Sequence, residues 1–321
     1  MSTERVYLEK DEISQLKIPI GSKSVIIKIL RKNAESETPS GILKISPTEL
    51  DWNPAMHSDR TGLVVAVPSR LPFNVGRDEM PWKTHVQIAV GMTVWFDFLA
   101  SENCVTYIYE GYDYKVLDYD NLYVATLNEK IIPLNGFSLF ERVYHKPINK
   151  FDKISETQVD ETKGIVRYVA EKNEAYESGA SEDHIDLQPG DEVLFGRVPC
   201  VMLEDEAHCV FDGGKMYRRS QSRNVEMLWR DGELIMPNNR MLVKQIPDDV
   251  FYKPKLDLIL PEAYLHRRTD VKCHRAEVIL SSLKEVPVGS IVKYIRGGGA
   301  LMDYKGEAHR ILPVETILYV E

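Results

Sequence analysis

Cysteine is scarce in this chain of 321 residues: Cys104, Cys200, Cys209 and Cys273, with no Cys-x-x-Cys pair among them. Four at such irregular spacing exclude a disulfide framework, and free buried thiols are the expected state. A long apolar run is missing as well. Nothing approaches the roughly 20 consecutive apolar residues that a helix needs to cross a bilayer, so a soluble protein with no membrane partner is expected. The opening residues, Met1-Ser-Thr-Glu-Arg-Val-Tyr-Leu-Glu-Lys10, carry acids where a signal peptide carries a basic region and an apolar core, which points to the cytoplasm. Positive charge is also in short supply. The formal net charge of −9 opposes any role that depends on neutralising phosphates, and the local pairs Arg218-Arg219 and Arg267-Arg268 do not overturn that balance.

The signatures of catalysis are absent too. There is no Gly-x-Gly-x-x-Gly, no Gly-x-Ser-x-Gly elbow, no His-Glu-x-x-His and no kinase set, so neither an enzyme nor a cofactor is expected. Gly297-Gly-Gly299 lacks the Lys-Ser or Lys-Thr that would follow it in a phosphate cradle, and reads as a flexible hairpin turn. Cys200 with His208-Cys209, and Cys273-His274, read as scattered core or surface residues and not as a metal site. Tyr107-Ile-Tyr-Glu-Gly-Tyr-Asp-Tyr114 could stack bases, but its period-two spacing around Glu110-Gly111 reads more plainly as a hairpin, and the acidic balance disfavours nucleic acid.

What the chain does contain is one pattern three times over. Gly91-Met-Thr-Val-Trp-Phe96, Gly190-Asp-Glu-Val-Leu-Phe195 and Gly289-Ser-Ile-Val-Lys-Tyr294 share the form Gly-x-x-Val-x-Phe/Tyr, each 99 residues after the last. Glycine permits a tight turn, and apolar residues at alternate positions after it mark a half-buried strand. One β-unit used three times is the economical reading, and about 100 residues per unit is enough for each to fold around its own core.

The flanking sequence repeats in the same order. Residues 1–17 are polar and fit either a short helix or an extended arm. Proline-led strand entries follow at Pro19, Pro133 and Pro237, since proline suits the first residue of a strand better than its middle. After each entry lies a long polar stretch, about 31–60, 146–162 and 247–274, of a length that usually carries function. Short strands then lead to the glycine turns, Gly62-Leu-Val-Val-Ala-Val67, Gly164-Ile-Val-Arg-Tyr-Val169 and Ala276-Glu-Val-Ile-Leu280, and each unit closes on a final strand near Val124, Met227 and Tyr319. The expected architecture is all-β: an N-terminal arm 1–17 and three tandem small β-barrels with long loops, at 18–127, 128–229 and 230–321.

This order resembles the GroES family of co-chaperonins, in which a mobile loop carrying Gly-Ile-Val-Leu, a Gly-Glu-Val-Leu-Ala-Val strand and Val-Gly-Asp-x-Val-x-Phe follow one another. Here Ser40-Gly-Ile-Leu43, Gly62 to Val67, Val90-Gly-Met-Thr-Val-Trp-Phe96, Lys163-Gly-Ile-Val166, Pro189-Gly-Asp-Glu-Val-Leu-Phe195, Leu258-Ile-Leu-Pro-Glu262 and Val288-Gly-Ser-Ile-Val-Lys-Tyr294 carry the likeness. There are departures. The second loop has no Ile-Val-Leu triplet, only Ile148, Phe151 and Ile154, and the third unit lacks the family's optional roof hairpin.

The resemblance implies a non-enzymatic co-chaperonin whose loops dock into a groove on a chaperonin's apical domains, and so places partner-binding residues at Gly41, Ile42 and Leu43 and at Leu258, Ile259 and Leu260. Burying two or three such side chains yields about 1.5–3 kcal/mol each. Ordering roughly five loop residues costs about 1–2 kcal/mol apiece, so a single loop binds weakly and affinity has to come from several linked copies. That favours a homo-oligomer. Family rings hold seven barrels, which three per chain do not divide. The alternative is therefore a structural or assembly protein, for instance a virion component, that keeps the barrels as building blocks.

Overall fold

The computed structural model describes residues 5–10, 18, 21–30, 60–73, 80, 82–144, 159–171, 186–195, 209–212, 214–237, 239–246, 273–295 and 299–321. Almost all of their regular structure is β, as the alternating patterns require. The chain divides into two compact units, Met1–Asp191 with Val198–Asn224, and Glu192–Arg197 with Val225–Glu321.

In the first unit, β1 (Arg5–Tyr7), β2 (Ser24–Lys28), β3 (Thr61–Ala66), β4 (Thr93–Phe96), β5 (Val105–Tyr109), β6 (Tyr112–Asp118), β7 (Leu122–Leu127) and β8 (Lys130–Pro133) form a sheet ordered β1-β5-β6-β2-β3-β4-β7-β8. Every pairing in it is antiparallel except β1 on β5, so Arg5–Tyr7 of the arm is extended, not helical. The expected hairpin at Glu110-Gly111 is present, with both residues at positive φ between β5 and β6. A short helix, α1 (Phe98–Glu102), follows β4, capped by the Asp97 carboxylate accepting from the Leu99 amide at 2.9 Å. Val25 and Ile27, Val64, Val94 and Phe96, Leu117, Leu122 and Ala125 point into one core, closed by Met80, Trp82 and Ile88, so the inner face of the sheet curls around a common centre.

The same unit holds β9 (Phe137–Tyr144), β10 (Val159–Tyr168), β12 (Cys209–Asp212) and β13 (Lys215–Gln221), antiparallel in the order β12-β13-β9-β10. The second unit pairs β11 (Glu192–Phe195) with β14 (Val225–Arg230) and β14 with β15 (Glu233–Ile235). It also contains a six-stranded sheet of β16 (Arg240–Ile246), β17 (Cys273–Ser281), β18 (Ile291–Ile295), β19 (Ala300–Tyr304), β20 (Glu307–Pro313) and β21 (Ile317–Val320), ordered β19-β20-β16-β17-β18-β21. Its core is Met241, Val243, Ala276, Val278, Val286, Val292, Tyr294 and Leu312. Among the described residues, every strand pairing joins strands from a single one of three consecutive stretches, 5–133, 137–235 and 240–320.

The three glycine turns are built alike. Gly91, Gly190 and Gly289 sit at φ of 91°, 102° and 87°, a region closed to most side-chain-bearing residues. Their amides donate to the carbonyls of Val64, Val166 and Val278 at 2.9, 2.8 and 2.8 Å. Those same valines donate back to Met92, Asp191 and Ser290 at 2.8, 2.9 and 2.9 Å. Behind each turn the alternation holds, with Val94 and Phe96, Val193 and Phe195, and Val292 and Tyr294 all buried.

One expectation needs correction. Pro133 does not open a strand; it ends β8, which pairs back on β7 with Val124 opposite Pro133, and proline is tolerated there because it surrenders no ladder donor. The chain then reverses over Asn135 and Gly136, both at positive φ, before β9 begins, and the Asn135 side-chain amide donates to the carbonyls of Tyr119 and Leu122 at 2.6 and 2.7 Å. Each closing strand is preceded by a single 3-10 turn, Tyr119–Asn121, Ser222–Asn224 and Val314–Thr316. Gly297 and Gly298 lie outside the described residues; the strands on either side of them, β18 and β19, are not neighbours in the sheet.

Candidate partner-binding surfaces

The apolar triplets Gly41, Ile42, Leu43 and Leu258, Ile259, Leu260 lie outside the described residues, as do Ile148, Phe151 and Ile154 of the middle loop. What is described is the base of each loop. In all three stretches the chain leaves along the entry strand and returns along its antiparallel neighbour. Lys28 stands opposite Leu63, Tyr144 opposite Val159, and Ile246 opposite Arg275. Each long polar stretch is therefore closed at its root by a hydrogen-bonded strand pair, which fixes where the loop begins and ends. At the first root Lys28 holds its ammonium 3.9 Å from the centre of the Tyr112 ring and 5.7 Å from that of Tyr114.

One strand further in, a basic residue recurs at the same register: Lys115 opposite Ile27, Arg218 opposite Phe140, and Arg310 opposite Val243. Lys115 donates to the Ser101 carbonyl at 3.0 Å and its hydroxyl at 2.6 Å, and Arg310 donates to the Gly299 carbonyl at 3.3 Å. Both carbonyls belong to the link that follows a Gly-x-x-Val strand, so the cation pins that link to the sheet. Arg218 is buried, and burial, with the Arg142 guanidinium acting in the same direction and Asp160 opposing, lowers it to about 10. Lys115 and Arg310 thus satisfy backbone carbonyls of those links, a role that their sequence context did not announce.

Two further surfaces join one repeat to the next, one inside each unit. In the first unit Tyr123, Val124 and Ile131 pack with Leu139 and Tyr217, flanked by Trp95, Phe137 and Tyr168. Arg219 stacks over the Tyr123 ring at 4.0 Å and bonds the Asp97 carboxylate at 2.7 Å, which ties β13 to the cap of α1. In the second unit Met227, Met236, Leu242 and Ile311 form the corresponding cluster, with Leu194, Trp229 and Leu234 against it. Beside it, burial raises the Glu226 carboxyl, opposed by the nearby Arg240 charge. The sequence carried a signal for these contacts: Tyr123-Val-Ala125 and Met227-Leu-Trp229 are apolar on both faces, as a strand covered on both sides must be.

Cys200 and His208 lie outside the described residues, and among those described no three His, Cys, Asp or Glu side chains are grouped to hold a metal ion. His274 lies against the Tyr294 ring, with centroids 5.6 Å apart, and the Cys104 thiol donates to the Ser101 carbonyl at 3.2 Å. Tyr119 is a buried strut: the Gln87 amide donates to its hydroxyl at 2.9 Å, and burial pushes the phenol up to about 12. No helix among the described residues is long and apolar enough to cross a membrane. No family model matches the chain, and no curated protein matches it.

Proposed function

We propose that this chain is a non-enzymatic, co-chaperonin-like protein of three tandem GroES-like barrels whose loops carry the contacts. The observation that supports it is the threefold recurrence of one construction: a glycine turn at positive φ, a Val-x-Phe/Tyr strand buried behind it, and a long loop rooted on the strand pair in front. A scaffold that fixes the roots of three long stretches is suited to presenting them for contact. On this reading Gly41, Ile42 and Leu43 of the first loop and Leu258, Ile259 and Leu260 of the third enter a chaperonin's apical groove. The middle loop, which has no such triplet, does not. The partner is a chaperonin in the cytoplasm, with neither nucleic acid nor membrane involved.

A second reading, a structural component of a large assembly such as a virion, draws on one observation: the apolar strand edge at Leu318, Tyr319 and Val320 is exposed. The two are separated by capture on an ATP-loaded chaperonin followed by a refolding assay. The co-chaperonin reading expects retention of the chain and loss of at least tenfold in affinity for the double variant Ile42→Asp, Ile259→Asp, equivalent to about 1.4 kcal/mol or more. Failure of the unaltered chain to be retained, or indifference to the double variant, removes it in favour of the assembly role.

A further inference from the structure

The basic position shared by the three repeats has different company in each. Its cation stands opposite Ile27, Phe140 or Val243, and two residues further along those entry strands come Ile29, Arg142 and Gln245. The middle repeat thus sets a second guanidinium beside the first. Arg218 faces Phe140 across the strand pair and Arg142 follows two residues along β9, so both side chains leave the face of the sheet that carries the fully buried Phe140 and Val166. Positions related by this diagonal are about 7–8 Å apart, within reach of long side chains.

Arg218 is 4% exposed and Arg142 is half-buried, so the pair runs from the interior of the sheet towards its surface. Gly164, opposite Arg142 on β10, adds no side chain there. Two like charges in a poorly hydrated place repel, and burial and the Arg142 charge act together against the charge on Arg218. The Asp160 charge opposes them, but its Oδ1 already accepts from the Thr162 amide at 3.0 Å and the Thr162 hydroxyl at 2.6 Å. In the first and third repeats a lone cation is satisfied by a carbonyl of the following link. A carbonyl dipole suits one cation; two side by side call for a full negative charge.

We propose that Arg142 and Arg218 form a binding site for an oxyanion of the phosphate class at the root of the middle loop. Each planar guanidinium presents parallel donors to a pair of oxygens, and a tetrahedral phosphate has oxygens for both forks. The acidic balance of the whole chain does not oppose this, because a single bound ion answers to the local pair and not to the net charge. The middle loop is the one without an apolar triplet, so a charged contact at its root stands where the other two loops offer apolar ones. The site does not depend on whether those loops meet a chaperonin.

Isothermal titration calorimetry of the full chain with inorganic phosphate tests this. The expected result is saturable binding of a single phosphate that weakens about tenfold or more in Arg142→Gln and in Arg218→Gln. Arg142→Lys, which keeps the charge and loses the fork, weakens it less. Arg167→Gln, which removes an exposed guanidinium paired with Glu141 on the other face of the same sheet, leaves it unchanged. Should the buried Arg218→Gln fail to fold, the half-buried Arg142→Gln decides alone. Titration with phosphoserine separates the two sources of the anion: tighter binding than inorganic phosphate assigns the site to a phosphate carried on a larger molecule, weaker binding to the free ion. Absence of saturable binding overturns the proposal. So does binding that Arg142→Gln leaves unchanged, which marks an adventitious ion only, or an equal loss in Arg167→Gln.

Discussion

Arg219 illustrates how single residues hold this molecule together. Its guanidinium is almost fully buried and serves at once as the ion partner of Asp97 and as a planar lid on Tyr123 and Phe137. Only arginine combines a flat, weakly hydrated face with a directional donor edge. Truncation leaves Asp97 without its cation and the Tyr123 ring without cover. Arg219→Ala is therefore expected to lower stability by about 2–4 kcal/mol, because breaking a buried pair costs more than the pair itself contributes. Chemical denaturation followed by fluorescence, compared with the same substitution in an Asp97→Ala background, measures the coupling. An effect below a few tenths of a kcal/mol, or full additivity of the two changes, contradicts that role. None of this was legible beforehand, since Arg218-Arg219 in the sequence looks like a surface charge pair.

Among the elements, the glycine turn followed by a buried alternate strand was fully readable, because glycine at a fixed place before Val-x-Phe leaves few physical interpretations. Its cost is definite. Nothing stands within 4 Å of where a Cβ on Gly190 would sit, so only the backbone, at φ of 102°, resists substitution. Gly190→Ala is expected to destabilise by about 1–2 kcal/mol, and the same change at Gly91 or Gly289 by a similar amount. Thermal unfolding of the three variants checks this, and a neutral or stabilising effect at all three contradicts the shared geometry. The entry segments were harder to read. Proline was expected to open them, but Pro133 ends its strand, and whether a strand begins or ends there depends on β7 lying beside it, a tertiary fact that local sequence does not encode.

At the scale of the whole molecule, recurrence did what no single motif could: three copies in one order identified an all-β chain of repeated sheets although each motif is commonplace. The contacts between repeats remained hidden because they are spread over Trp95, Tyr123, Tyr217 and their counterparts, residues brought together only by folding. The loop triplets at 41–43 and 258–260 rest on sequence likeness, and the structure contributes the strand pairs at their roots. Hydrogen exchange of the intact chain, alone and with an excess of ATP-loaded chaperonin, addresses the claim that these loops are where the protein acts. The expected result is slowed exchange at Gly41 to Leu43 and at Leu258 to Leu260, with the middle loop unchanged. Identical exchange in all three loops with and without the chaperonin would contradict it.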